Sequence, residues 1–187
     1  MSVSSCRLLL PLFFALSLGT GCAGLSHYAE GPEAPGPSED AARVYFVLAQ
    51  GFPSGAGYVV EDTDLLGYIG NNQYFYVDVP SGEHQFMLIS EQDEAVSGNF
   101  EAGKIYHLKV YITPGLFQTR TYWTPLEATG EDAQSRAEDI ADCRRVELNP
   151  ELAAKWEAQH AEDNSSRAQS FKSGEDEATP IESVHGL

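Results

Sequence analysis

Basic residues are scarce in this chain of 187 residues: Lys and Arg number 11 against 28 Asp and Glu, for a formal net charge of −17. That balance argues against nucleic acid or anionic lipid headgroups as partners, since both attract Lys/Arg-rich patches. It suits a body held off an anionic surface, and it also serves plain solubility. Cysteine is scarce too, with three residues. Cys6 and Cys22 belong to the first segment of the chain, so Cys143 is left alone and no internal disulfide can form. Such a cysteine packs as a small apolar residue; a bridge to a second protein is the alternative. Long apolar runs are missing as well. The longest, Leu8 to Leu18, is too short to span a bilayer.

Recognisable catalytic signatures are also lacking. Gly51-Phe52-Pro53-Ser54-Gly55 misplaces the serine of a nucleophile elbow. It lacks the Lys-Ser/Thr of a phosphate-binding loop and opens no helix, so it reads as a turn. Asp62 and Asp64 alternate as some calcium ligands do, without the rest of that loop pattern. His84 and His107 could face each other on paired strands and hold a metal, but zinc sites use three or four ligands and no third is evident. The plainer expectation is that His84 supports a turn and His107 faces solvent. Asn164-Ser165-Ser166 has the form of a glycosylation sequon and carries no weight here. No catalytic residue, metal or cofactor is assigned, and a non-enzymatic protein is expected.

What is present begins at the N-terminus. Arg7 supplies a positive n-region, Leu8 to Leu18 an apolar h-region, and the small residues Gly19, Thr20 and Gly21 precede Cys22. A cysteine directly after small residues resembles the lipobox of bacterial lipoproteins. The resemblance implies cleavage between Gly21 and Cys22, diacylation of the Cys22 thiol with chains such as palmitate, and acylation of the new amino terminus. It departs at one position: the family prefers Leu third before the cysteine, where this chain has Gly19, with Leu18 one step further back. More than one acyl chain gives stable anchoring. Ala23, where inner-membrane lipoproteins often carry Asp, leans toward the outer membrane. Arg7 is the only charged residue before Cys22, so its removal makes the mature chain one unit more negative. The alternative is ordinary secretion, with cleavage at Gly21 or Ala23.

Residues 22–40 read as an acylated cysteine and an extended tether, crowded with Gly31, Pro32, Pro35, Gly36 and Pro37. At about 3 Å per residue it would lift a domain several nanometres from a membrane. Residues 41–128 change character. Strand candidates rich in β-branched and aromatic residues fall at 42–49, 57–60, 65–69, 73–79, 83–90, 95–100, 104–112 and 119–126, separated by Gly, Pro and Asn turns. Pro80-Ser81-Gly82 is read as the turn of a hairpin joining 73–79 to 83–90. Short, evenly spaced strands predict a mainly β fold, an antiparallel β-sandwich of transthyretin-like or Ig-like size, with one or two C-terminal α-helices.

Alternation assigns the faces. Tyr106, Leu108, Val110 and Ile112 point to the core, against Ile105, His107, Lys109 and Tyr111. Phe75, Val77 and Val79 oppose Tyr74, Tyr76 and Asp78. Tyr45, Tyr74, Tyr76 and Tyr111 therefore share the non-core faces, where aromatics with polar tips suit protein or glycan recognition. Alternatively the C-terminal helices cover them, or they stack as cross-strand pairs.

A first helix is predicted within 129–146, capped by Thr129, with Ala133, Ala137, Ile140 and Ala141 as its apolar stripe. A second, at 147–163, starts at Asn149-Pro150 and carries Leu152, Trp156 and His160 on one face. Residues 164–187 read as a disordered acidic tail.

The stretches at 42–47, 67–84 and 100–110, with the helix ending at Cys143, resemble a bacterial lipoprotein family carrying a domain of unknown function. The Pro-Ser-Gly-Glu-His element at 80–84 is similar to a turn of small β-sandwich surface modules. The resemblance covers about residues 41–146. It implies a small β-sandwich and lipid anchoring, and no catalytic residues, because the family has no established activity.

The resulting expectation is an envelope protein anchored through lipid on Cys22, presenting a sandwich to an envelope protein or cell-wall glycan, with no nucleic-acid partner. An accessory metal-binding or hydrolytic protein using His84 and His107 is one alternative, and a structural subunit of an envelope assembly another.

Overall fold

Each expected strand forms, with its ends within two residues of the predicted ones. The computed structural model describes residues 24–33, 35–49, 56–114 and 119–187. The expected signal segment 1–21, Cys22, Ala23 and residues 51–55 lie outside the described residues. The strands in chain order are β1 (Ser26–Tyr28), β2 (Ala41–Leu48), β3 (Ala56–Glu61), β4 (Asp64–Gly70), β5 (Gln73–Pro80), β6 (Gly82–Ile89), β7 (Glu94–Phe100), β8 (Ile105–Pro114) and β9 (Thr119–Pro125). Helix α1 (Glu131–Asp142), strand β10 (Arg144–Leu148), helix α2 (Pro150–Ser173), strand β11 (Thr179–Ile181) and a short 3-10 turn (Ser183–His185) complete the described chain.

The strands make two stacked sheets, ordered β1-β10-β5-β2-β8-β9 and β11-β7-β6-β3-β4. Most pairs are antiparallel, but β10 on β5, β2 on β8 and β11 on β7 are parallel. The expected hairpin between 73–79 and 83–90 does not form. β5 pairs with β2 and β10 in one sheet, and β6 with β3 and β7 in the other. Pro80-Ser81-Gly82 instead carries the chain across the sandwich, with Gly82 at φ 143, a backbone angle that favours glycine.

Between the sheets lie the inward residues predicted by alternation. Phe46 stacks on Phe75 at 4.9 Å and meets Phe86 of the opposite sheet edge-on at 5.3 Å. Phe100, Tyr106, Leu108, Val110 and Trp123 continue this core. Both outer faces are also covered. α1 lies over the β1–β9 sheet, where Ile140 and Cys143 pack on Tyr45, Val47 and Tyr74. α2 lies over the other sheet, where Ala153, Trp156 and Ala168 pack on Val60, Leu65, Met87 and Ile89. β2 is buried on both faces, as a strand between two packed layers must be.

Four expectations about the flanking segments need correction. The tether is not free of the domain: β1 pairs antiparallel with β10, so residues 26–28 extend the sheet. Thr129 does not cap α1; Gly130, at φ 78, occupies that position with no side-chain cap. Ala137 and Ala141 are exposed, and Arg136 is the buried residue of that helix, so the inward stripe is rotated toward Ala133, Arg136 and Ile140. Residues 164–187 are not a disordered tail. α2 continues to Ser173 and ends on Gly174 in the left-handed region. β11 then joins the edge of β7 and buries Ile181 in the inter-sheet core. Asn149 caps α2 as expected, its Oδ1 accepting from the Glu151 and Leu152 amides at 3.2 and 3.3 Å.

Candidate functional site

The outer face of β2, β5 and β8 is where chemistry gathers. In register, Tyr45 lies opposite Tyr76 on one side and His107 on the other, while Arg43 lies opposite Asp78. Alternation places all of them on the face under α1. Tyr45 stacks flat on His107, centroids 4.7 Å apart with 3° between planes, and contacts Tyr76 and Tyr74 at 5.4 and 6.2 Å. Arg43 is buried. Its Nε and Nη2 donate to the two oxygens of Asp78 at 2.7 and 2.9 Å, and its guanidinium sits 4.2 Å above the Tyr76 ring. That fork holds the Arg43 guanidinium protonated well above its ordinary range.

The N-terminal strap crosses this face. Pro35 and Gly36 carbonyls accept from Arg43, and Glu33 accepts from both tyrosines: Tyr45 Oη donates to Oε2 at 3.0 Å and Tyr74 Oη to Oε1 at 2.5 Å. Burial, and secondly the Glu33 carboxylate, push the Tyr45 and Tyr74 hydroxyls upward, so both stay protonated donors.

Of the four tyrosines of the candidate binding face, expected either open or covered by the C-terminal helices, Tyr45 and Tyr74 are buried and Tyr76 is partly buried beside them. The cover is α1 and the strap, not the helix carrying Trp156. Trp156 stacks on Tyr58 at 4.8 Å, against the opposite sheet. Tyr111 lies further along β8, stacked on Tyr122 of β9 at 5.4 Å, and takes no part in the cluster.

Between α1 and the sheet remains a cleft of about 310 Å³, lined by Tyr45, His107 and Glu33 at its polar end and by Ile105, Ala133 and Ile140 along its wall. Arg136 enters it from α1. This arginine is 7 % exposed. Its Nη2 donates to the Ala128 carbonyl at 2.8 Å, and its Nη1 has no partner. Burial lowers the Arg136 guanidinium from its ordinary range. His107 does not face solvent as expected: its Nδ1 is buried and unpartnered. Burial, and secondly the Arg136 charge, lower its imidazole to about 4, so it is neutral at pH 7. Lys109 pairs with Asp139 at 2.5 Å and pins α1 beside the cleft.

His84 and His107 are not brought together. His84 is on β6, in the other sheet, its Nδ1 2.5 Å from Glu61 and its Nε2 2.7 Å from the Pro80 carbonyl. It holds the crossing turn, as expected of it. A second cleft beside it, about 340 Å³, contains Glu61, Asp62, Gln85 and Lys172, with Lys172 paired to Asp62. Among the described residues no three His, Cys, Asp or Glu side chains are grouped as metal ligands. Asp62, at φ 51, belongs with Asp64 to the β3–β4 turn.

Cys143 closes the far end of the tyrosine cluster, its thiol 3.8 Å from the Leu48 carbonyl. Burial pushes that thiol up to about 11, which leaves little thiolate for exchange at neutral pH. Arg136 is the residue sequence reasoning missed. Its position three after Ala133 and four before Ile140 was the available signal.

No protein-family model, curated protein or solved structure matches the chain. Among the described residues, no helix is long and apolar enough to cross a membrane.

Proposed function

We propose that this chain is an envelope lipoprotein of the bacterial family it resembles, acylated at Cys22, held at the outer membrane, and using its sandwich as a non-enzymatic binding module. The anchoring half rests on the order Arg7, Leu8 to Leu18, Gly19-Thr20-Gly21 and Cys22. The binding half rests on one observation: an amphipathic cleft under α1 where an unpaired buried cation meets stacked aromatics. Concave sites with apolar walls and a few convergent polar groups are where ligands bind. The separation of His84 from His107 on different sheets gives no support to a shared metal or hydrolytic site.

Two measurements test the two halves separately. Cells fed an alkyne palmitate analogue should label the wild-type protein and leave Cys22→Ser unlabelled and released from membranes. Equal labelling of both ends the lipoprotein reading. Photo-crosslinkers at Ala137 and Ile105, on the rim and wall of the cleft, should trap a discrete adduct that crosslinkers at Tyr111 and Ser170 do not. Identical patterns at all four sites would leave the cleft without a binding role.

A further inference from the structure

We infer that the cleft under α1 binds a monoanionic amphiphile, a single carboxylate on a short apolar body, with Arg136 as the counter-charge and His107 as a second donor. The inference deepens the binding-module reading, on which it rests, and is independent of the lipid anchor.

The first support is the isolation of Arg136. A buried charge needs a partner, because desolvation penalises it heavily. Six of the other cations, Arg43, Lys104, Lys109, Arg145, Arg167 and Lys172, make ion pairs. Arg120, Arg144 and Lys155 are exposed to water. Arg136 alone among the described cations is buried without an acid in ion-pair contact, in a chain where acids outnumber bases 28 to 11. Asp132, one turn earlier, acts on the guanidinium through its charge but makes no ion-pair contact with it, and its Oδ2 accepts from the Glu127 amide at 2.8 Å.

The second support is His107, which lines the same cleft and whose buried Nδ1 has no partner. A neutral imidazole with its proton on Nδ1 donates one bond, and a carboxylate accepts from it and from Arg136 Nη1 together. The walls decide the rest of the ligand. Ile105, Ala133 and Ile140 offer nothing to a sugar or a phosphate body, and they suit a short acyl or aromatic group. The volume, about 310 Å³, is at the small end of ligand sites. Glu33 fixes the ligand charge. Its oxygens are held by Tyr45 and Tyr74 at the polar end, so a second negative charge there would be repelled.

The test uses the chain from Ala23 onward, which contains every described element. Octanoate is titrated in by calorimetry beside octanol, acetate and octyl phosphate. Octanoate should bind with a dissociation constant below about 1 mM. Octanol, acetate and the more highly charged octyl phosphate should each be weaker by about tenfold or more. Arg136→Gln should weaken octanoate by about tenfold or more, and Arg136→Lys by less. In the wild type, saturation with octanoate should raise the His107 pKa, read by imidazole NMR. The charged or titratable groups facing that ring are Tyr45 from β2, Arg136 from α1 and Glu33 from the strap, with Leu187 lining the same cleft. The NMR measurement stands even where Arg136→Gln does not fold. Equal binding of octanoate and octanol, or an unmoved His107, overturns the inference. So does no binding of any probe; a protein adduct at Ala137 would in that case leave the binding-module reading standing.

Discussion

Removing three carbons from Ile181 separates an ordered C-terminal segment from a disordered one. Ile181 is 8 % exposed, sits in β11 opposite Gly98 of β7, and belongs to the inter-sheet core. Ile181→Ala deletes three buried methyl or methylene groups at about 0.8 kcal/mol each, so roughly 2.4 kcal/mol before any cavity term. The edge position lets neighbours relax, and the expected loss is about 2–3 kcal/mol. At 2–4 °C per kcal/mol for a domain of this size, the melting temperature falls by roughly 4–12 °C. Urea titration monitored by Trp123 and Trp156 fluorescence measures it, given coincident transitions from both probes.

The cycle with Gly98 makes the test specific. A Cβ at Gly98 would lie 2.7 Å from the Ile181 carbonyl oxygen and 3.2 Å from its Cα. Both are backbone atoms, so Gly98→Ala forces β11 to shift, costing about 1–3 kcal/mol. In a chain ending at Gly174 that obstacle is gone, and Gly98→Ala should cost far less. The coupling between the two changes should exceed about 1 kcal/mol. A loss under about 0.5 kcal/mol for Ile181→Ala, together with simple additivity for Gly98→Ala and the truncation, refutes the docked strand.

Three further outcomes are expected. His107 titrates near 6.5 when unfolded and is lowered to about 4 when folded. Between those values the unfolded chain binds the extra proton, so stability falls as pH drops from 6.5 toward 4, by on the order of 3 kcal/mol. His107→Gln should flatten that slope in urea titrations from pH 7 to 4, and an unchanged slope refutes the assignment. Trp156→Ala should cost about 3–5 kcal/mol in the same assay, because the indole is buried and stacked between Tyr58 and His160. Glu33→Ala removes the acceptor of two tyrosine hydroxyls; the strap should lose about 1.5–3 kcal/mol of its protection from amide exchange near Tyr45, with little change in global stability.

The sandwich was readable in the sequence because its core strands are short runs of β-branched and aromatic residues, several of them alternating, separated by Gly, Pro or Asn turns. What those local signals lack is the identity of the neighbour. Pro80-Ser81-Gly82 has the chemistry of a tight turn whether the next strand pairs back or crosses to the facing sheet. The better clue lay in β6: Phe86-Met87-Leu88-Ile89 is apolar at successive positions, and a strand buried on both faces reads that way. Phe86 and Leu88 enter the inter-sheet core while Met87 and Ile89 face α2. The outer cover was therefore demanded by the sequence, though its identity was not. β10 and β11 were missed for a different reason. They are five and three residues long, and they are strands only because an edge awaits them. Val146 is buried in β10, yet within a segment rich in Arg and Glu it does not outweigh the flanking helical patterns.

The site was half legible for the same reason. Tyr45, Tyr74 and Tyr76 follow from alternation, and so does their place on the face away from the core. Whether that face is open depends on which helix returns to it, and no local pattern settles this: Trp156 has the strongest docking face by sequence and goes to the other sheet. A helix that brings Ala133, Arg136 and Ile140 down on a tyrosine-lined surface must either supply an acid for the arginine or leave it unpaired. Acids are plentiful enough here that pairing is the easy outcome, as Lys109 with Asp139 and Arg43 with Asp78 demonstrate on the same face. Glu33 is close enough to line the cleft with Arg136, but its oxygens are spent on two tyrosine hydroxyls. The unpaired guanidinium is thus set against the composition of its own chain, and a charge from outside the chain is the simplest physical reason for keeping it.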